Sequence, residues 1–195
     1  MSKAEKTRAY ILEKTAPIFN TKGYAGTSLT DMTDATGLTK GSIYGNFENK
    51  DEVALAAFDF NLRKVRSIIS TEMEKRATVK EKLLVYVDVY ENFMNYPFPA
   101  GGCPILNTAV EADDTHPALK KKAADAIAAW RDSITGLIET GIKTGEFKKT
   151  LNAENAALTV IAMIEGGVMI SKLTGKQDYR KAVMQSVGDY IKNLV

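Results

Sequence analysis

Residues 39–47 concentrate hydrogen-bonding side chains on a short stretch that has very few large apolar ones. Only Ile43 and Phe47 are bulky and apolar, and their spacing places both on one edge of a helix. The remaining positions are small or polar, so the backbone of such a helix can approach another molecule closely. Ammonium, hydroxyl and amide groups are the donors and acceptors that bind phosphate oxygens and base edges. The polar side chains in question belong to Lys40, Ser42, Tyr44 and Asn46.

Two short helices separated by one glycine are the elements that would position this stretch. Leu29, Met32 and Ala35 form a helical stripe before Gly37, where a left-handed backbone costs glycine nothing. Thr39 is a good N-cap for the second helix. The pattern predicts a helix-turn-helix, which places its second helix in the major groove of DNA. The structural alternative is a helical hairpin inside an ordinary bundle, but its helices would carry a wider apolar stripe.

The first fifty residues resemble the N-terminal domain of the tetracycline-repressor (TetR/AcrR) family of bacterial transcription regulators. The matching segments are FNTKGY at 19–24, GTS at 26–28, TKGSIY at 39–44 and FENK at 47–50. The rest of the chain is similar mainly in its length and its helical pattern. The resemblance implies an all-α protein of about nine helices. It would have a helix-turn-helix DNA-binding domain at 1–48 and an antiparallel helical ligand-binding and dimerisation domain at 49–195.

The resemblance also implies contacts to double-stranded DNA at the matching positions. The hydroxyls of Thr27 and Ser28, with the free amides that begin the following helix, could hold a phosphate. Lys40 and Ser42 are the best candidates for base contacts, and Lys50 would meet the DNA backbone. The predicted DNA-binding residues are Thr27, Ser28, Thr39, Lys40, Ser42, Tyr44, Asn46 and Lys50.

Two positions near the end of this helix leave the operator sequence open. Asn46 could bond an adenine or serve only as a polar residue that ends the helix. Family members often carry a large polar or aromatic residue where this chain has Gly45. The resemblance therefore does not extend to a particular operator.

The last two helices suggest an oligomer. The eighth, about 153–173, is apolar nearly all round, so it must be covered on more than one side. Two copies could pair it with the ninth, about 178–194, in a four-helix bundle, or the two helices could simply close the core of one chain. The resemblance implies a homodimer on a palindromic operator. The predicted interface residues are Ile161, Val168, Val183, Val187, Tyr190 and Leu194.

Helices five to eight carry bulky aromatic side chains beside a few polar ones, a mixture that suits a drug-sized ligand. Such aromatic residues also commonly do no more than fill a core. Gly166 and Gly167 each cost about 1 kcal/mol in a helix relative to alanine, which indicates close helix packing or room for a ligand. We expect a small, largely apolar effector. The predicted ligand-binding residues are Tyr86, Tyr90, Phe93, Cys103, Asn107, Glu111, Trp130 and Met163.

Cys103 supports an alternative function. It follows Gly101 and Gly102 at a predicted helix start, and helix N-termini lower the pKa of a thiol. An exposed thiol of this kind would make the protein a thiol-based sensor of electrophiles. The structural interpretation is a small, buried, apolar residue. A further alternative is a DNA-binding architectural or partner-controlled factor that has no small-molecule ligand.

Composition argues against several classes. With one histidine, one cysteine and no glycine-rich phosphate loop, the chain is not expected to be an enzyme. Glu111, Asp113, Asp114 and His116 are metal-ligand types, but 113–115 suits helix capping, so we expect no metal and no cofactor. The net charge of +2 does not by itself indicate a nucleic-acid partner.

The N-terminal residues and the apolar runs bear on localisation. Charged residues precede any apolar stretch, which predicts no signal peptide, and a single cysteine fits a reducing cytoplasm. The longest apolar run, 156–164, is shorter than the roughly 20 residues that span a bilayer. The sequence therefore predicts a cytoplasmic, ligand-responsive repressor without a membrane partner, and it does not exclude activation in place of repression.

Overall fold

The computed structural model describes residues 2–195, and within this range it contains nine α-helices, one short 3-10 helix and no strand. The predicted all-α fold is therefore confirmed. The helices are α1 Lys3–Gly26, α2 Leu29–Thr36, α3 Lys40–Tyr44, α4 Lys50–Met73, α5 Val79–Glu91, α6 Pro104–Ala112, α7 Pro117–Thr144, α8 Ala153–Thr174 and α9 Gln177–Lys192, with the 3-10 helix at Phe93–Asn95.

The chain divides into two compact units. Unit 1 comprises the described residues up to Val65 together with Pro99–Ala124, and unit 2 comprises Arg66–Phe98 and Asp125–Val195. This division differs from the sequence-based boundary after residue 48. Most of α4, all of α6 and the start of α7 group with the N-terminal helices, and sequence periodicity carries no information on such packing.

Unit 1 is built around α1, α2 and α3. Ile11 on α1, Met32 on α2 and Ile43 on α3 have no exposed surface, and Phe47 is also buried. Burying such side chains contributes roughly 1.5–3 kcal/mol each relative to leaving them exposed. The predicted apolar edge of α3 therefore faces the core of this unit, and its opposite face is left for solvent.

Unit 2 packs α8 against α9, and α5 against α9. The adjacent glycines of α8 have different surroundings. A Cβ at Gly167 would lie 2.9 Å from Cγ1 of Val183, whereas a Cβ at Gly166 would meet no atom within 4 Å. Close packing against α9 therefore explains Gly167, and nothing within the chain explains Gly166.

By length and composition alone, α8 could cross a membrane, with a mean hydropathy of 1.6 over its most apolar window. It is the one helix in the described part of the chain that meets this test. Core helices of soluble proteins also meet it, and 44% of the window is buried inside the protein. The sequence-based prediction considered only uninterrupted apolar residues and did not register this helix.

Candidate nucleic-acid interface

Capping residues determine where the two helices of the helix-turn-helix end and begin. Gly37 ends α2 in the left-handed conformation, with φ of 66°. Oγ1 of Thr39 then accepts from the N–H of Ser42 at 3.2 Å and caps α3. Because Ile43 is fully buried, the opposite face of α3 points to solvent. The exposed residues of this face are Thr39, Lys40, Gly41, Ser42 and Gly45.

The polar side chains around α3 differ in how far they are already engaged. Lys40 is exposed and forms no ion pair with the described residues, so its ammonium is available to a phosphate or a base. Tyr44 is half-buried. Nδ2 of Asn46 donates to the carbonyl of Ser42 at 2.9 Å, which favours its interpretation as a polar residue that ends the helix.

The predicted phosphate contact from Thr27 is corrected by the structure. Its side chain has no exposed surface, and Oγ1 donates to the carbonyl of Gly23 at 2.6 Å. Ser28 is exposed, but its N–H and its hydroxyl both donate to Oδ2 of Asp31 at 2.8 Å. A negative charge therefore already occupies the start of α2. The Lys22 ammonium, 2.6 Å from Oδ1, and the Ser28 donors hold the pKa of Asp31 well below its usual range.

Lys50 lies against the end of α1. Its Nζ is 4.4 Å from the centre of the Tyr24 ring, and the Tyr24 hydroxyl donates to Oδ1 of Asp51. That hydrogen bond, together with burial, raises the pKa of Tyr24 to about 12. Part of the Lys50 side chain is thus engaged within unit 1 rather than directed wholly outward.

Arg8 is a charged residue near α3 that sequence reasoning missed. Its guanidinium lies 3.9 Å from the centre of the Phe47 ring, and one terminal nitrogen is 2.6 Å from Oε1 of Glu52. The other donates to the carbonyl of Asn46, where the chain leaves α3. These partners are far from Arg8 in sequence, so no local pattern indicates the contact.

In unit 2 the structure brings together three of the predicted ligand-binding residues. The Trp130 ring lies 5.5 Å from that of Tyr90 at 11°, and 5.9 Å from that of Tyr86. Burial raises the pKa of Tyr86, while the hydroxyl of Ser133 and the indole N–H of Trp130 oppose the rise. That N–H is close enough to act on the Tyr86 hydroxyl, yet it is buried without a hydrogen bond of ordinary geometry.

Aromatic packing continues toward α9 in unit 2. The Phe93 ring stacks on Phe98 at 5.4 Å, and the Arg180 guanidinium lies 4.0 Å from the centre of Phe93. Arg180 is only 5% exposed and its Nε donates to the carbonyl of Glu91 at 3.2 Å. Burial lowers the pKa of Arg180, although Glu91 opposes the change. Sequence reasoning missed this arginine, whereas Met163, which it named, is half-buried on α8.

Three of the predicted ligand-binding residues belong to unit 1 and do not join this aromatic cluster. Cys103 is 1% exposed, so the exposed thiol on which the electrophile-sensor alternative depended is not present. Nδ2 of Asn107 donates to the carbonyls of Asn20 and Gly101. Glu111 accepts from two backbone amides of α1. Asn107 and Glu111 lie on α6 and Cys103 is its N-cap, and sequence spacing could not show that α6 faces α1.

Two of the residues with metal-ligand side chains, Glu111 and His116, bind backbone amides at helix ends instead. Nδ1 of His116 accepts from the N–H of Leu119 at 3.2 Å and caps α7, a role that the sequence had assigned to 113–115. Nε2 of His116 lies 3.8 Å from Oδ1 of Asp51. Among residues 2–195, no three His, Cys, Asp or Glu side chains are grouped to hold a metal ion.

The predicted dimer-interface residues mostly face inward. Ile161, Val168, Val187 and Leu194 are each at most 6% exposed within a single chain, and Val183 and Tyr190 are half-buried. The four buried residues therefore cannot form an outer surface. The exposed apolar residues of α8 are Leu158, Ala162, Met169, Ile170 and Leu173. All of them but Ile170 form one stripe with the half-buried Gly166, and we call 158, 162, 166, 169 and 173 the α8 outer stripe.

Comparison with known proteins agrees with this architecture. The family described as "Bacterial regulatory proteins, tetR family" matches residues 11–57, and "Tetracyclin repressor-like, C-terminal domain" matches residues 79–187. An uncharacterised HTH-type transcriptional regulator from Lactococcus lactis is 31% identical over 95% of this chain and 91% of its own length.

Two crystal structures are similar over the whole chain. A TetR-family transcriptional regulator from Cytophaga hutchinsonii superposes with a TM-score of 0.96 at 48% identity, covering 100% of this chain and 97% of that one. One from Chloroflexus aurantiacus gives 0.94 at 37% identity, covering 100% and 98%. The matched families and relatives are regulators rather than enzymes. The chain belongs to the TetR family of DNA-binding transcriptional regulators.

Proposed function

We propose that this protein is a cytoplasmic homodimeric repressor that leaves a palindromic operator when a small, largely apolar effector binds in unit 2. The observation that carries the proposal is the exposed polar face of α3, held outward by the buried Ile43. A short helix with this face fits the major groove, and two of them on a two-fold axis would read half-sites about 34–36 Å apart.

Base contacts are assigned to the exposed end of α3. Lys40 can donate to guanine acceptors and Ser42 can bond several base edges, while the half-buried Tyr44 reaches a phosphate. Gly41 and Gly45 add no bulk to this face.

The effector is assigned to the aromatic cluster of Tyr86, Tyr90 and Trp130. The Trp130 indole N–H is buried and makes no hydrogen bond of ordinary geometry, and a buried donor that is poorly satisfied destabilises the fold. A flat, apolar molecule that carries one hydrogen-bond acceptor would satisfy the N–H and extend the ring stack.

The dimer is assigned to the α8 outer stripe. Its exposed residues include Leu173, at 80%, and Leu158, at 45%. Their spacing of three and four residues forms one continuous face, which suits an antiparallel or crossed helix of a second copy. Gly166 lies on this face in open space, so its backbone permits close approach of the partner helix.

The test is DNA binding by wild-type protein and by the double variant Lys40→Ala/Tyr44→Ala. A fluorescent duplex selected by the wild type from a random pool is compared with a scrambled duplex at fixed salt. We expect the double variant to lose about a hundredfold in affinity for the selected duplex, or about 2.7 kcal/mol. Lys149→Ala removes an exposed lysine of unit 2 and is the matched control. Retained selectivity in the double variant would contradict the assignment.

A further inference from the structure

The carboxylate of Glu111, on α6, binds two backbone amides near the end of α1. The N–H of Tyr24 donates to Oε2 at 2.8 Å, and the N–H of Ala25 donates to Oε1 at 2.8 Å. Both amides belong to the short turn that follows Gly23, where φ of 74° and ψ of 179° interrupt α1. Hydrogen bonds to an ionised carboxylate are roughly twice as strong as neutral ones, so this contact fixes the turn firmly.

The contact requires a residue without a side chain at position 23. A Cβ at this position would lie 2.3 Å from Oε2 of Glu111, so the carboxylate occupies the space that any other side chain would fill. The positive φ also favours glycine. The glycine and the carboxylate therefore depend on each other, although they are far apart in the sequence.

The turn at 23–27 determines where α2 begins. Oγ1 of Thr27 donates to the carbonyl of Gly23 at 2.6 Å, and Ser28 follows immediately as the N-cap of α2. Nζ of Lys22, just before the turn, lies 2.6 Å from Oδ1 of Asp31 in the first turn of α2. A displacement of the turn would therefore displace α2 and, through it, α3.

A second contact holds α6 against α1 one helical turn earlier. Nδ2 of Asn107 donates to the carbonyl of Asn20 at 2.9 Å, and Nδ2 of Asn20 donates to the carbonyl of Gly102 at 2.9 Å. Asn107 and Glu111 are four residues apart, so they lie on the same face of α6. Hydrogen bonds of this geometry are lost when α6 shifts by about 1 Å along α1.

We propose that Glu111 is a positioning residue for DNA binding, whose carboxylate holds the 23–27 turn so that α2 presents α3 to the major groove. The inference rests on the proposed DNA-binding function and gives Glu111 a role other than ligand binding. It does not touch the exposed face of α3. Its loss therefore reduces recognition of a particular site without removing the positive charge that attracts any DNA.

The test compares Glu111→Gln with Asp114→Asn. Glutamine keeps the size of the side chain but places an NH2 group against one of the two amide donors. Asp114 is exposed near the end of the same helix, so its variant matches the change of charge. We expect Glu111→Gln to bind the selected duplex about tenfold or more weakly, and the scrambled duplex within about twofold of wild type. Asp114→Asn should bind both as the wild type does.

Amide hydrogen exchange provides a readout that needs no DNA. Exchange at Tyr24 and Ala25 should be slow in the wild type and about tenfold faster in Glu111→Gln. If that variant does not fold, the wild type decides, because the Glu111 contact requires slow exchange at both amides in the free protein, and fast exchange there would contradict it.

The two possible failures are distinguishable. If the wild type selects no duplex, the proposed function fails. If folded Glu111→Gln selects and binds the duplex as the wild type does, or if its Tyr24 and Ala25 amides exchange at the wild-type rate, only the role of Glu111 fails.

Discussion

The two units bury and expose opposite kinds of groups. In unit 1 the buried polar side chains of Thr15, Thr27, Thr36 and Asn61 all donate to backbone carbonyls, and the outward face of α3 is small and polar. Unit 2 buries the Trp130 N–H without a hydrogen bond of ordinary geometry and exposes an apolar stripe on α8. Buried polar groups that are fully hydrogen-bonded favour a single packing arrangement. A poorly satisfied buried donor and an exposed apolar face are instead typical of sites that bind another molecule.

This contrast suggests a division of tasks. In unit 1 these four buried polar side chains have hydrogen-bond partners within the unit, and the exposed polar face of α3 suits a polar partner. One buried atom departs from this pattern, Nε2 of His116, and Asp51 lies 3.8 Å from it. In unit 2 the proposed effector site is the aromatic cluster, and the proposed contact with a second copy is the α8 outer stripe.

The largest expected effect comes from breaking the α8 outer stripe. The double variant Leu158→Glu/Leu173→Glu places charges on its exposed ends, so it should be monomeric in analytical ultracentrifugation while the wild type is dimeric. Loss of two-site binding should weaken affinity for the selected duplex by about a hundredfold or more. Met94→Glu, which changes an exposed apolar residue outside α8, should remain dimeric. A wild-type monomer would refute the assignment.

Gly167 of α8 faces α9 inside unit 2, whereas Gly166 faces open space, so substitutions at the two positions should have opposite effects on stability. On the monomeric background, Gly167→Ala should lower the free energy of unfolding by about 1–3 kcal/mol, because its Cβ meets Val183. Gly166→Ala should raise it by up to about 1 kcal/mol, because its Cβ meets nothing and alanine favours a helix. Urea unfolding measures both changes. Equal effects would show that the two positions have the same surroundings.

The smallest effect concerns the pH dependence of unit 1. The pKa of Asp31 is lowered in the folded protein by Lys22 and Ser28, so its contribution to stability is complete above the unfolded value of 3.8 and is lost as pH falls below it. The melting temperature of Asp31→Asn should therefore fall less than that of the wild type during acidification from neutral pH. Asp34→Asn, on the same helix, is the control and should follow the wild type.

Much of the fold could be predicted because its signals are local. Gly37 and Thr39 mark helix ends through their own chemistry, as a left-handed glycine and as an N-cap, and the structure has them there. The buried edge of α3 followed from the spacing of Ile43 and Phe47. Trp130 stacks on Tyr90, whereas the assignment of both residues to a ligand site stays a prediction.

The remaining features depend on contacts that spacing does not encode. Because α8 is apolar nearly all round, its pattern could not show which side faces α9, and Ile161 and Val168 were assigned to the wrong face. Glu111 and Arg180 meet backbone groups that lie far away in the sequence. Only the fold shows that Glu111 binds backbone amides of α1 and that Arg180 lies beside Phe93.

The most direct test of the account follows two signals in one titration. Trp130 is the single tryptophan, so its emission reports on the aromatic cluster while the anisotropy of the labelled duplex reports on DNA release. The probes are flat, apolar compounds that carry one hydrogen-bond acceptor. The account predicts that a compound that changes the emission also releases the duplex with the same midpoint, and that Trp130→Phe requires more of it. Compounds that change the emission but leave the duplex bound would contradict the claim that unit 2 controls DNA binding.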